Sequence, residues 1–269
     1  MSNTDKTTFS VSDLNHYDHY LGPLYFEPYA IEIASRIDPD SIQVALELAC
    51  GTGRVTRHLR AAIPATAKLI ASDISPDMLA VAKDKLKSSN IEWQIIDAQE
   101  LPFGDNSIDL IVCSFGFMFV PFKEMAFAEA YRVLKPGGIL LFSTWDKLEF
   151  NAASDVYRKA VKKFLVEQLP QNYKLPFSMN DEVELKEWLQ QSGFTSISVE
   201  RVDKESISPT ATEAAFGLTQ GGSIYNEVMK RNPAWVPEIY KLVEKELTEK
   251  YGASPMIAPM RALITEAGK

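Results

Sequence analysis

Glu47-Leu48-Ala49-Cys50-Gly51-Thr52-Gly53 places a carboxylate just ahead of two glycines, and Asp73 follows Gly53 after about 20 residues. Glycine lets a backbone come close to a ligand, and the start of a helix favours negative charge. An acid at the end of the next strand can accept hydrogen bonds from both hydroxyls of a ribose. Two ligand classes suit this layout. A dinucleotide needs G-x-G-x-x-G/A, so that helix and strand close over a pyrophosphate. Here the register reads Gly51-x-Gly53-x-x-Thr56, and Glu47 would set a like charge beside the phosphates. A ligand with a ribose, a carboxylate and a cationic amine meets the same residues without that conflict.

Alternating elements must hold these residues. Ile42–Ala49 is expected as a buried strand, Cys50–Gly53 as a tight turn and Arg54–Ile63 as a helix. Lys68–Ser72, Ile91–Ile96, Ile108–Ser114 and Ile139–Trp145 read as further strands. Between them come helices at Pro76–Leu86, with Ser75 as N-cap, and at Phe122–Leu134. Pro28–Ile37 predicts an earlier helix with proline in its first turn. Helices are expected at Asn151–Glu167 and Asp181–Ser192, then a strand at Gly193–Arg201. Residues 203–258 read as helical, with breaks at Gly221-Gly222 and Pro233, ahead of a last strand at Met260–Thr265. Such alternation with short connections predicts an α/β fold: a doubly wound, mostly parallel sheet of seven strands, Rossmann-like, covered on both faces. The amphipathic stretch Pro237–Tyr251 needs a partner surface for Ile239, Leu242, Val243 and Leu247.

At Glu47–Gly53 the sequence resembles the class I S-adenosylmethionine-dependent methyltransferases, in particular the small-molecule branch that includes quinone-biosynthesis enzymes. Ala49 stands where that family usually has its first glycine. The resemblance continues through Asp73-Ile74-Ser75-Pro76-Asp77-Met78-Leu79 and Asp97-Ala98-Gln99-Glu100-Leu101-Pro102-Phe103. It also takes in Ser107-Ile108-Asp109 and Arg132-Val133-Leu134-Lys135-Pro136-Gly137-Gly138, both expected to be structural. The matches span about residues 40–145, in order and on the expected elements, which makes the set far more specific than a lone glycine motif. The resemblance implies S-adenosyl-L-methionine as cofactor and S-adenosyl-L-homocysteine as product. The candidate cofactor residues are then Glu47, Ala49, Gly51, Gly53, Asp73, Ile74, Met78, Asp97, Ala98, Ser114 and, from an N-terminal lid, Tyr20. Within this set, Asp73 takes the ribose, Ile74 and Met78 pack on the adenine, and Asp97 with the Ala98 backbone reads its amino edge. The expected organisation is one domain over 1–269: a lid and helix at 1–38, a cofactor core at 40–146, and a helical substrate cover at 203–258.

Other reactive side chains have plainer readings. Cys50 precedes a helix, where a thiol can be activated, but packing accounts for it as well. His16, His19 and His58 are expected at the surface. Phe115, Phe117, Met118 and Phe119 follow the fourth strand, where core and pocket lining are equally open readings. Many relatives carry a histidine after that strand. This chain has Phe117-Met118-Phe119-Val120, so no catalytic residue is assigned, and the acceptor is either already nucleophilic or served by a base from elsewhere. The region where many amino-group methyltransferases carry [Asn/Asp]-Pro-Pro-[Tyr/Phe] reads Ser114-Phe115-Gly116-Phe117.

The 269 residues are 46% hydrophobic and 24% charged, which excludes a wholly disordered chain. A formal net charge of -8 argues against a nucleic-acid partner. Two cysteines without a CxxC pair give neither a zinc site nor a disulfide scaffold, and no metal is expected. The first residues lack an apolar signal core and no apolar run is long enough to span a bilayer, so a cytoplasmic location is expected. The reading is methyl transfer to a small, apolar or aromatic molecule by in-line displacement. Two alternatives stand beside it: a non-catalytic S-adenosylmethionine-binding partner subunit, and a nicotinamide-dependent oxidoreductase.

Overall fold

Short runs of Val, Ile, Leu and Ala, buried on both faces, become the central strands of one sheet, and more polar runs its edges. The computed structural model describes residues 11–87, 90–165, 169–170 and 173–269; the polar start, 1–10, lies outside them. The strands are β1 (Val44–Glu47), β2 (Lys68–Asp73), β3 (Glu92–Ile95), β4 (Ile108–Ser114), β5 (Leu134–Trp145), β6 (Ser196–Ser208) and β7 (Met256–Gly268). They are ordered β3-β2-β1-β4-β5-β7-β6. β3, β2, β1, β4 and β5 run parallel, and β7 returns antiparallel against β5. Sequential strands β1, β2 and β3 build outward on one side and β4 and β5 on the other. The order therefore reverses beside β1, where open α/β sheets bind their ligands.

The helices are α1 (Val11–His16), α2 (Glu27–Ser35), α3 (Arg54–Ala62), α4 (Pro76–Lys85), α5 (Lys123–Val133), α6 (Ala152–Phe164), α7 (Glu182–Gln191), α8 (Ala211–Gln220), α9 (Ser223–Arg231) and α10 (Trp235–Tyr251). Tyr17–Phe26 forms a π-helical stretch between α1 and α2. Ser75 caps α4 as expected, its Oγ accepting the Met78 N–H. The helix expected over 151–167 occupies Ala152–Phe164; residues 166–168 lie outside the described ones.

Two compact units are present. The sheet unit comprises Phe26–Asn151, Lys174–Glu205 and Pro259–Lys269. The helical unit comprises the described residues of Met1–Tyr25, Ala152–Tyr173 and Ser206–Ala258. In the helical unit α10 packs against α6 and α8, burying Ile239, Val243 and Leu247, which supplies the surface that its apolar stripe demands. Both ends of the helical segment expected over 203–258 are corrected: α10 stops at Tyr251, and residues 256–258 already belong to β7. Residues 203–208, expected as the start of the helical segment, continue β6, and helix begins only at Ala211. The alternation of Val202, Lys204 and Ser206 with polar neighbours runs on in period two past Arg201, so the strand does not stop there.

The two family-like signatures expected to be structural, at Ser107–Asp109 and Arg132–Gly138, act as fasteners of the sheet unit. Asp109 accepts the backbone N–H groups of Gln43 and Val44 at 3.1 and 2.8 Å and pairs with Lys135 at 2.7 Å, fixing the start of β1 against β4. Arg132 donates to the carbonyls of Leu101 and Phe103 and pairs with Glu129 and Asp105. Residues 135–138 bulge out of β5, between the pairs Ile108–Leu134 and Leu110–Ile139.

Candidate cofactor site

The carboxyl ends of β3, β2, β1 and β4, side by side in that order, carry the candidate residues of the sheet unit. Glu47 ends β1 and Asp73 ends β2. The Ser72 hydroxyl donates to the Glu47 carbonyl at 2.8 Å, and the Cys50 N–H donates to the Ser72 carbonyl at 2.9 Å. The glycine turn is thereby drawn over the end of β2. Gly51 has φ +55° and Gly53 φ +81°, a left-handed path that favours glycine. A Cβ on Gly51 would meet nothing within 4 Å. Its glycine serves the backbone path and leaves that side of the turn open. A Cβ on Gly53 would lie 3.1 Å from Ala82 Cβ and Leu86 Cδ1, so that glycine also lets α3 start close against α4.

Asp73 is nearly buried, and both its oxygens are aimed by backbone donors. Oδ2 accepts the Gly51 N–H and Oδ1 the Ser75 N–H, each at 2.8 Å. Burial raises its pKa, and the N–H groups of Ser75, Gly51 and Ile74 oppose that rise. Each carboxylate oxygen retains a second lone pair for a hydroxyl donor. Ser75, not Asp73, caps the helix, which leaves the acid to the turn.

Glu47 is only 1% exposed. Burial, reinforced by the Asp73 charge, pushes its carboxyl up to about 8 despite the nearby Thr56 hydroxyl. Its Oε2 is buried with no hydrogen-bond partner among the described residues. A buried carboxyl with an unmatched oxygen is a natural neighbour for a cationic group. Ile74 is 65% exposed although it follows a strand buried from Leu69 to Asp73, and Met78 is half-buried in the first turn of α4. An apolar side chain held out at a strand end offers a platform for a flat ring.

Asp97 and Ala98 follow β3 and are half-buried. Ser114 ends β4, its Oγ 2.9 Å from that of Ser143 on β5. Ala49 has φ +53°, in the left-handed region that favours glycine. Ten of the eleven candidates thus lie at neighbouring strand ends of one unit. Tyr20 belongs to the helical unit, where its ring meets His16, His19 and Phe216 edge to face.

Cys50 packs in a small cluster with Ala71 and Leu79, and burial pushes its thiol well up, away from reactivity. His58 is not simply a surface residue: its Nε2 lies 2.9 Å from Glu27 Oε1, beside Arg54 and Arg57, which bind the same carboxylate. Phe115, Phe117 and Met118 are buried, while Phe119 is half exposed. Phe115 stacks on Trp145 with ring centroids 4.0 Å apart, and Tyr29 lies edge-on to both.

Three contributors were not singled out from the sequence. Gly116 receives the Ala49 methyl, Gln99 binds Asp97, and Glu27 holds the first turns of α3. Only Gly116 left a signal, as a glycine beside apolar residues at a strand end.

Residues 46–142 match a family model described as a methyltransferase domain. The ubiquinone/menaquinone biosynthesis C-methyltransferase of Haemophilus ducreyi is 39% identical over 119 residues, 43% of this chain and 46% of that protein. The chain spans about half the length of the curated relatives it matches. Among solved structures, phosphoethanolamine N-methyltransferase 2 of Haemonchus contortus, determined with phosphomonomethylethanolamine and S-adenosylhomocysteine, superposes with a TM-score of 0.62 at 18% identity. The match covers 98% of this chain and 58% of that one. The YcgJ protein of Bacillus subtilis superposes with a TM-score of 0.58 at 14% identity, covering 90% and 98%. At such identities the likeness is one of fold.

Proposed function

We propose that this chain, whose residues 46–142 match a methyltransferase domain, is a class I S-adenosylmethionine-dependent methyltransferase that moves a methyl group from that cofactor to a small apolar or aromatic acceptor. The observation that carries this reading is the pair of 2.8 Å hydrogen bonds from the Gly51 and Ser75 N–H groups to Asp73. They bring the glycine turn and the ribose-binding acid into one site. The remaining residues fit the same ligand. Glu47 suits the cationic amine, the α3 N-terminus the carboxylate, Ile74 and Met78 the adenine face, and Asp97 with Ala98 its amino edge.

The bound cofactor supplies an electrophilic methyl group on a sulfonium. What the chain must add is alignment and exclusion of water, which can be worth up to roughly 7–11 kcal/mol. The segment after β4, Phe115-Gly116-Phe117-Met118, brings no titratable group to the acceptor side. An acceptor already nucleophilic, such as an electron-rich ring carbon or a phenolate, meets that limitation best. The relatives named as C-methyltransferases of quinone biosynthesis favour a carbon acceptor.

Calorimetric titration with S-adenosylhomocysteine, run beside NADH, tests the cofactor. One-to-one binding of the former alone is expected; binding of NADH alone overturns the reading in favour of an oxidoreductase. Labelled methyl transfer to phenols and quinone precursors then tests the acceptor class, and cofactor binding without transfer to any acceptor would point to a non-catalytic subunit. Tyr20→Ala tests whether that residue belongs to the cofactor set.

A further inference from the structure

Gln99 lies between Asp97 and the segment that follows β4. Its backbone N–H donates to Asp97 Oδ1 at 2.9 Å, and its side-chain Nε2 donates to Oδ1 and Oδ2 at 3.0 and 3.1 Å. At the other end of the same amide, Oε1 accepts the Phe122 N–H at 3.1 Å. The amide can satisfy both neighbours in one orientation only, because its nitrogen donates and its oxygen accepts. A carboxylate free to turn about its last torsion is thereby held in one plane, with both oxygens engaged on the Gln99 side and their other lone pairs directed away.

We propose that Gln99 is a positioning residue, which fixes the Asp97 carboxylate for reading the adenine amino group and ties that reading to the loop before α5. The proposal rests on the cofactor reading above. The rest of the 97–105 segment does not depend on Gln99. Leu101 N–H donates to Glu129 at 2.8 Å, and Arg132 donates to the Leu101 and Phe103 carbonyls at 3.0 and 2.8 Å. Removing the Gln99 side chain therefore leaves the backbone anchored, with the Gln99 N–H still on Asp97 Oδ1, and releases two things: the hold on Oδ2 that sets the plane of the Asp97 carboxylate, and the hold on Phe122.

The test compares binding of S-adenosylhomocysteine with that of S-inosylhomocysteine, in which a carbonyl oxygen replaces the adenine amino group. The wild-type protein is expected to prefer the adenine form. Gln99→Ala should weaken S-adenosylhomocysteine by about tenfold, the size of one lost charged hydrogen bond, and leave the inosine analogue within about twofold. Gln99→Glu keeps an acceptor for Phe122 but sets a second carboxylate against Asp97. It should narrow the preference at least as much as Gln99→Ala, while hydrogen exchange at the Phe122 amide quickens only in Gln99→Ala. An unchanged preference in both variants, or equal weakening of both ligands, overturns the positioning role. A wild-type protein that binds the two ligands equally places the failure at Asp97. One that binds neither removes the cofactor reading and the Gln99 role with it.

Discussion

A Cβ placed on Gly116 would lie 2.5 Å from the Cβ of Ala49. Ala49, which leads from β1 into the glycine turn, has φ +53°, and Phe115, just before Gly116, has φ +54° one residue past the neighbouring strand β4. Two non-glycine residues are thus held in a left-handed path, at a cost of about 1–2 kcal/mol each, where the site is built. The family that this turn resembles usually has a glycine where Ala49 stands. Here the extra methyl is accommodated because residue 116 has none. Gly116→Ala is therefore expected to destabilise the protein by about 1–3 kcal/mol through overpacking. Ala49→Gly should recover part of that loss. Recovery stays partial, because the new methyl would still lie 2.7 Å from Cys113 Sγ. Thermal melts of the two single variants and the double variant measure the coupling, and simple additivity would show that the two positions do not compensate.

Much of this arrangement was legible in the sequence because it is local. The glycine turn, the Ser75 cap and the strand-end acids are set by residues within a few positions of one another, and the doubly wound, mostly parallel sheet follows from alternation and crossover handedness. The Ala49–Gly116 and Glu27–Arg54 contacts join segments far apart in the chain, and no spacing rule encodes them. Gln99 is close to Asp97, but its second bond reaches Phe122 across the fold. The β6 boundary was missed for a different reason: polar residues at its end resemble a helix surface until β7 supplies the pairing.

Asp73 offers a direct measure of the cofactor site. Its carboxylate holds two backbone N–H groups and, in the proposed complex, two ribose hydroxyls. Asp73→Asn conserves volume but replaces one acceptor oxygen with a donor. Affinity for S-adenosylhomocysteine should fall by about 2–4 kcal/mol, as charge-assisted hydrogen bonds of about 1.5–3 kcal/mol are lost or misdirected. Calorimetry on the folded variant measures this. Affinity equal to that of the wild type would show that Asp73 serves the turn alone.

Glu27 gathers Arg54, Arg57 and His58 from the first turns of α3. Partial burial opposes its ionisation, but the hydrogen bonds from Arg54, Arg57 and His58 outweigh burial and hold the carboxyl down to about 2. A carboxyl depressed below its ordinary 4.5 stabilises the fold above that pH, and the stabilisation is lost as pH falls toward 2. The cluster is partly exposed, so solvent screening limits it to about 1 kcal/mol. Glu27→Gln should therefore lower the Tm at pH 7, and the difference from the wild type should shrink steadily below pH 4.5. A difference that persists undiminished to pH 2 would mean that packing, not charge, holds α2 to α3.

Glu47 has the opposite sign. Its carboxyl is raised from 4.5 to about 8, so between those values the folded protein keeps a proton that the unfolded chain has released. Stability contributed by the protonated form is complete below 4.5 and declines as pH rises toward 8. Glu47→Gln, which cannot ionise, should flatten that decline. A cationic amine bound beside Glu47 favours the ionised carboxylate, so ligand binding must release the proton. Affinity for S-adenosylhomocysteine is accordingly expected to rise with pH up to about 8, by no more than about tenfold per pH unit, and then to level off. Calorimetry at pH 7 in buffers of different ionisation enthalpy counts the protons released. A fraction approaching one is expected for the wild type and none for Glu47→Gln. Equal proton release by both proteins would place the titrating group elsewhere and remove Glu47 as the partner of the amine.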